Sequence, residues 1–437
     1  MKKLLAVICT MSVLFLSGCS MMSLDGSDIM CPPKATGSNA VIQKLIDKQT
    51  SGDYVLKYPK NGLSRSSIVM QDIDSDGDED AVAFYCDKSG ENIHALFVEC
   101  VENDYSVIED VTFESSAIDR IDFANLDNKG NAEIIIGYCM KTSSVNSFDV
   151  FSFDEKLERQ STSFTYTSLV TGDFNMDKSD DILLVSLYSS DIEAKAQLLV
   201  YNNSSLAEIG SVALDSDVKQ LAMASYSKIS DSSYGAIIDG VTTTGDYTTQ
   251  VVYFDSSAPA LLNPLFSYSG YSLTQRSTGI CSFDCNRDEI VDIPLCSVMP
   301  HKETEDLSSV CRRIDFANLN TDTYTLNTVK STIFCPNDGY MITMPENWKD
   351  SVTARYDKTT RELSIYSIEY ASNELKILKK LLTVKSYFDE DYNKDTDPFT
   401  EFSRSGSTVY TYSLGTNDEF LSITGDELSS LFTPVNI

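Results

Sequence analysis

Histidine is almost absent from this chain, with His94 and His301 the only two in 437 residues. Zinc sites built on imidazole, and most Ser-His-Asp or Cys-His relays, are therefore short of parts. Positive charge is scarce as well: 34 Lys and Arg stand against 65 Asp and Glu, a formal net charge of −31. Grooves that track phosphate need Lys and Arg, so the balance argues against a nucleic-acid partner and against adhesion to anionic lipid through a basic face. Cations and basic partners fit it better. There is no Gly-rich phosphate loop, no G-x-S-x-G elbow and no paired C-x-x-C, and Cys281-x-x-x-Cys285 has the wrong spacing for a thioredoxin-type site. Past the first residues, no run of about twenty apolar residues is available to span a bilayer.

What the chain does have is the material of strands. Its 42 % hydrophobic content is that of a globular protein, and 23 Tyr and 20 Phe with frequent Ser, Thr and Gly turns favour sheet over helix. An all-β fold is expected.

The N-terminus sets an address. Lys2 and Lys3 precede an apolar run from Leu4 to Leu16, the length of a signal-peptide core, and the run ends in Leu16-Ser17-Gly18-Cys19. That tetrapeptide resembles the lipobox of bacterial lipoproteins. The resemblance implies a leader over residues 1–18, acylation of Cys19, and a protein held to the cell membrane or envelope on its extracytoplasmic side without a spanning helix. Loss of the leader removes two lysines and no acids, so the mature chain is still more acidic. Residues 19–37 are aperiodic and carry Pro32 and Pro33, as a tether does. Ser38 is placed to cap a helix with Val41, Ile42, Leu45 and Ile46 on one face, and a strand is expected over 53–58. Of eleven Cys, Cys9 leaves with the leader and Cys19 serves as the anchor, so the remainder is odd. Buried thiols suit the apolar settings of Cys86, Cys139 and Cys296. Bridges Cys86–Cys100 or Cys281–Cys296 across neighbouring strands are the alternative.

The stretch that organises the rest is Asp72-Ile73-Asp74-Ser75-Asp76-Gly77-Asp78-Glu79-Asp80, followed at once by the apolar run Ala81 to Tyr85. Carboxylates at the first, third, fifth and ninth places with Gly at the sixth give the spacing of a tight oxygen-ligand loop around a hard cation, calcium first. Asp72, Asp74, Asp76 and Asp80 offer side-chain oxygens, and Asp78 its backbone carbonyl. Without a cation these charges repel one another. A solvated Asx-rich turn is the plain alternative. Related loop-then-strand units start at Asn125, Asp173, Ser227, Asp284 and Asn318, about every fifty residues until a shorter last interval. The third offers Asp173, Asn175, Asp177 and Asp181, and the fifth Asp284, Asn286, Asp288 and Asp292. In the second, Lys129 stands at a ligand place between Asp127 and Glu133, where a tethered ammonium can replace a metal's charge. The fourth, 227–235, is nearly stripped of ligands, and the sixth ends at Leu326. Lys178 and Glu289 hold the Gly place in loops three and five, at a conformational cost.

These loops resemble the FG-GAP or VCBS repeats of integrin-α-like β-propellers. The resemblance implies a six- or seven-bladed β-propeller over residues 38–334, including the N-terminal helix, with calcium in some loops. Beyond it, residues 335–437 read as a small α+β domain closed by a helix behind the capping box Thr424 to Glu427, or as strands that complete a last blade. The Pro345-Glu346-Asn347-Trp348 opening resembles modules on surface proteins of Gram-positive bacteria. The function expected is a calcium-stapled binding or scaffold module for a protein or glycan. The alternative is an envelope enzyme that cleaves glycans, although no catalytic residue announces itself.

Overall fold

The computed structural model describes residues 36–435 apart from 88–89, 91, 142–144, 154–155, 203–204, 267–271 and 372–373. The leader, Cys19 and most of the tether lie outside the described residues. Among those described, no helix is long and apolar enough to cross a membrane.

Six antiparallel sheets follow one another along the chain. Sheet 1 holds β1 (Tyr54–Leu56), β2 (Ile68–Gln71), β3 (Asp80–Asp87), β4 (Ile93–Val101) and β5 (Asp104–Phe113), with β1 and β2 sharing one edge of β3. Sheet 2 runs β6 (Ser115–Ala124), β7 (Glu133–Met140), β8 (Asn146–Phe153), β9 (Leu157–Tyr166). Sheet 3 runs β10 (Ser168–Gly172), β11 (Asp181–Ser186), β12 (Lys195–Asn202), β13 (Ser205–Ala213), and sheet 4 runs β14 (Val218–Ser230), β15 (Ser233–Thr242), β16 (Tyr247–Asp255), β17 (Ala260–Leu262). Apart from β1, which pairs with β3 and not with β2, each strand in these sheets pairs with its sequence neighbour, as short polar turns between apolar runs dictate.

Strands β3, β7, β11 and β15, one in each of these sheets, carry an apolar run that is buried on both faces. Ala81, Val82, Ala83 and Phe84 are fully buried, as are Ile134, Ile135 and Ile136. One alternating set packs on the sheet before and the other on the sheet after. Val82, Phe84 and Phe97 of sheet 1 share a core with Ile134, Ile136 and Phe151 of sheet 2. Ile135 and Val150 then meet Ile182 and Leu184 of sheet 3, while Leu183 and Leu198 meet Ile238 and Val252 of sheet 4. Each such side chain contributes about 1.5–3 kcal/mol on burial, so the stack is held by its cores and the loops only decorate it.

Sheet 5 runs β18 (Ile293–Val298), β19 (Arg312–Asn320), β20 (Thr325–Cys335), β21 (Tyr340–Thr343), and is completed by β27 (Phe432–Pro434) from the end of the chain. The boundary expected between residues 334 and 335 therefore falls inside a sheet, because the hairpin after Cys335 continues its ladder onto Tyr340. Sheet 6 is ordered β22 (Val352–Asp357), β23 (Glu362–Ala371), β24 (Glu374–Phe388), β26 (Thr408–Leu414), β25 (Thr400–Ser405). It packs on sheet 5 through Ile365, Leu382, Val384 and Tyr410 against Ile333, Tyr340 and Ile342. Trp348 is fully buried in that core and its indole N–H donates to Leu421 O at 2.8 Å. Helix α2 (Gly425–Leu431) begins at the capping box, with Thr424 accepting from Glu427 N and Glu427 accepting from Thr424 N.

The two ends of the stack differ. The face of sheet 1 away from sheet 2 is covered by helix α1 (Ser38–Thr50) through Ile42 and Ile46. Gly37 holds its N-cap position without a side-chain bond, so Ser38 opens the helix without capping it. The other face of sheet 6 is polar: Ser364 opposes Thr383, Glu362 pairs with Lys385 at 3.2 Å, and the Lys380 ammonium lies 5.7 Å over the Tyr366 ring. Among the described residues, no hydrophobic core joins sheet 6 to sheet 1.

Candidate metal centre and binding cleft

Four of the six expected loops have one shared backbone. Loops 72–80, 125–133, 173–181 and 284–292 lead into β3, β7, β11 and β18. Each turns twice through the left-handed region, at its fourth and sixth residues. The pairs are Ser75 and Gly77, Asn128 and Gly130, Met176 and Lys178, Arg287 and Glu289. Side chains at Lys178 and Glu289 cost about 1 kcal/mol each in that conformation. The other two expected loops are tight hairpins instead. Ser230 pairs with Ser233 across the β14–β15 turn, and Asn320 with Thr325 across β19–β20, so 227–235 and 318–326 leave no room for a ligand loop.

Within the four, hydrogen bonds repeat place by place. The ninth residue accepts from the N–H of the second: Ile73 to Asp80 at 2.9 Å, Leu126 to Glu133 at 2.7 Å, Phe174 to Asp181 at 3.0 Å, Cys285 to Asp292 at 2.8 Å. The third accepts from the N–H of the fifth, at Asp74, Asp127, Asn175 and Asn286. These bonds fold the third and ninth side chains back onto the loop's own backbone in all four copies. Burial is the first cause that pushes the ninth carboxyl up in every loop, more than the N–H groups pull it down, and at Asp181 it reaches about 7. Negative charge is thus unfavourable there, and a bound cation relieves it.

How each loop answers that charge differs. In loop 1, one oxygen each from Asp72, Asp74 and Asp80 lies within 4.8 Å of the others. Asp76 stands outside this group and bonds Asp78 N at 2.8 Å, while the Asp78 carboxylate turns away to Glu102 N at 2.7 Å. Asp72 Oδ1 is buried with no hydrogen-bond partner, as is Asp292 Oδ1 in loop 5. An oxygen-only set of this kind fits a hard cation such as calcium. In loops 3 and 5 a side-chain amide answers the fifth-place carboxylate, since Asn175 Nδ2 donates to Asp177 at 2.9 Å and Asn286 Nδ2 to Asp288 at 2.8 Å. Asp173 and Asp284, at the first place, each accept from the sixth N–H, at 3.0 and 2.9 Å. In loop 2 the Lys129 ammonium sits 2.7 Å from Asp127 Oδ2.

The first strands of sheets 2, 3 and 4 line a cleft of about 710 Å³ together with the 61–63 turn. The turn is laid across by backbone bonds from Lys60 N to Ile118 O and from Asn61 N to Asp119 O, which leaves Leu63 fully exposed at the rim. Met223 and Tyr226 also line the cleft. Both lining carboxylates are engaged. Asp119 accepts from Tyr166 Oη at 2.7 Å and Asn61 Nδ2 at 2.8 Å, and Asp122 is clasped by Arg120.

Two further features escaped the sequence reading. Asp239 and Arg276 form an ion pair at 2.8 Å with both side chains fully buried, and Ser282 N, Thr249 Oγ1 and Ile280 O complete it. It fastens the linker after β17 onto sheet 4. No local signal marks it, because its partners are far apart in the chain. The second was legible: Arg120 to Leu126 and Arg313 to Leu319 are the same heptapeptide, RIDFANL. Each copy makes the same pair two residues apart, Arg120 to Asp122 and Arg313 to Asp315.

The Cys86–Cys100 bridge is ruled out by register. Cys86 opposes Ile93 and Ala81 opposes Val98, so seven residues, roughly 23 Å of strand, separate Cys86's partner from Cys100. All eight described cysteines are free thiols.

No family model matches the chain, and no curated protein does. A solved structure described as the propeller of Dos1 is similar over 82 % of this chain and 91 % of that one, at 14 % identity and a TM-score of 0.29, a likeness too loose to inform function.

Proposed function

We propose that this protein is an extracytoplasmic lipoprotein, anchored to the cell membrane through Cys19, whose six sheets act as the blades of a propeller-type binding or scaffold module for a protein or glycan. Six blades, not seven, match the six sheets that follow one another in sequence. Calcium staples loop 1 through Asp72, Asp74 and Asp80, and loops 3 and 5 more weakly, with a Kd of about 10⁻⁴ to 10⁻³ M expected for an extracellular module. The observation that carries the binding reading is the cleft on the inner strands. It is large enough for a saccharide or a peptide side chain, and its acids are already paired. Paired acids favour holding a ligand over cleaving a glycan, which needs a free proton donor and a free base or nucleophile.

A screen of the full chain against glycans and surface proteins tests this. Ala222→Arg places a long side chain on an exposed cleft position outside every core cluster, so it should abolish binding of any hit. Undiminished binding by that variant would remove the cleft from the account. For the anchor, Cys19→Ala should move the protein from the membrane to the soluble fraction; equal membrane retention would refute lipidation.

A further inference from the structure

The register of sheet 5 brings two cysteines together. β19 and β20 pair Arg312 with Phe334 and Arg313 with Ile333, without a bulge at that end. Continued by one residue past the end of the ladder, the same register sets Cys311, just before β19, opposite Cys335, the last residue of β20. Both belong to the core between sheets 5 and 6, at 6 % and 1 % exposure, so the two side chains point to the same face. The backbone groups of Cys311 are turned elsewhere, its N–H to Ala354 O at 3.1 Å and its C=O accepting from Met299 N at 3.0 Å. A position opposed in this way, with no ladder bond to its partner, is the closer of the two kinds of antiparallel pair, about 4.5 Å between Cα atoms. That is within the span a disulfide bridges. Proximity also shows in the electrostatics: after burial, the neighbouring Cys335 is the next cause that pushes the Cys311 thiol up.

We propose that Cys311 and Cys335 are a redox pair that closes to a cross-strand disulfide. Two S–H bonds break and one S–S bond forms; the two electrons and two protons pass to a small or protein disulfide, which is reduced to two thiols. Among the described cysteines no other pair is directly opposed on paired strands: Cys86 faces Ile93, Cys100 faces Tyr105, Cys139 faces Asn146 and Cys296 faces Ile314. Burial that pushes the Cys335 thiol up to about 12 leaves little thiolate in the folded state. The bond therefore forms while the strands are closing, and slowly afterwards.

In the cell the step needs an oxidising compartment and so rests on the export reading. The test supplies its own oxidant, so a failed test and a failed export reading are distinguishable. The full chain, unfolded and reduced, is refolded in reduced and oxidised glutathione, quenched with acid, then denatured, alkylated and mapped as peptides. The result expected is a linked peptide pair carrying Cys311 and Cys335, two hydrogens lighter than the sum of its parts, and a melting temperature that drops after reduction. In Cys335→Ala this pair should vanish while Cys311 becomes alkylated. Recovery of both parent cysteines as alkylated thiols, capped by glutathione, or joined to other cysteines overturns the proposal, and the parent map decides this even if the variant does not fold.

Discussion

Loops 72–80 and 125–133 carry the same two left-handed turns and the same bond from the second residue to the ninth, yet they meet their own negative charge in opposite ways. In both, the first-place oxygen is buried without a hydrogen-bond partner, Asp72 Oδ1 and Asn125 Oδ1, but loop 1 gathers the carboxylates of Asp72, Asp74 and Asp80. Loop 2 carries Lys129 at the fifth place, where loop 1 has Asp76, and its ammonium reaches Asp127. The shared backbone does not depend on Gly or Asn, since loops 3 and 5 make the same turns at Met176, Lys178, Arg287 and Glu289, whereas the charge left inside each loop is set by what stands at the oxygen-bearing places. A loop of this shape is not by itself a metal site.

The comparison is broken hardest where the internal cation is buried. Asp239 is to Arg276 what Asp127 is to Lys129, but with no solvent on either partner. Arg276→Ala leaves an uncompensated buried carboxylate, and the expected loss is about 3–5 kcal/mol by denaturant unfolding, independent of calcium. A loss that calcium restores would mean that the site had become a metal site and that internal and external cations are interchangeable there.

Next in size is calcium itself. If loop 1 needs an external cation, the parent chain at about a hundredfold excess of calcium over Kd gains about 2.7 kcal/mol per occupied site over chelator. Asp74→Ala should remove most of that difference while the chelated proteins stay close. Equal melting of the parent in calcium and in chelator would place loop 1 beside loop 2, as a loop that closes unaided.

Much of this was legible beforehand. The apolar runs Ala81 to Tyr85, Ile134 to Tyr138 and Ile182 to Leu187 mark β3, β7 and β11 because burial on both faces removes alternation. Lys129 was readable as a tethered cation because ligand places are fixed by spacing. The phase of the last repeats was not. RIDFANL opens loop 125–133 in one copy but ends in the β19–β20 hairpin in the other, since the residues after it, Asp127-Asn128-Lys129-Gly130 against Asn320-Thr321-Asp322-Thr323, favour different turns. Matching Asn125 with Asn318 therefore aligned strands whose loops differ. Nor could spacing tell that Phe432 to Pro434 returns to sheet 5, a pairing fixed only when Phe432 enters the Tyr340 core. The inner cleft was illegible for the same reason: Asp119, Met223 and the 61–63 turn meet only once three sheets are stacked.

A smaller effect separates the loops by conformation alone. Gly77 and Gly130 take the sixth place at no steric cost, while Lys178 and Glu289 hold φ of 80° and 71°. Lys178→Gly should stabilise the folded state by up to about 1 kcal/mol, a gain lowered by the extra freedom of Gly in the unfolded chain. Denaturant midpoints with chelator present measure it. A loss would mean that the Lys178 side chain contributes something its backbone strain conceals.

The smallest expected change is also the most pointed. Lys129 is 68 % exposed, so its pair with Asp127 contributes about 0.5 kcal/mol at most, and Lys129→Ala should barely move the melting temperature in chelator. Lys129→Asp is different in kind. It removes the ammonium that answers Asp127, so the third and ninth places that gather in loop 1 keep Asp127 and Glu133 with no internal cation, and it adds a carboxylate at the fifth place beside them, on a backbone already bent through Asn128 and Gly130. In chelator the variant should be slightly less stable than the parent; in calcium it should recover and show one more equivalent of bound ion by calorimetry. If the stoichiometry stays that of the parent, charge at the ligand places does not decide which loop takes a cation, and the contrast between the two loops has another cause.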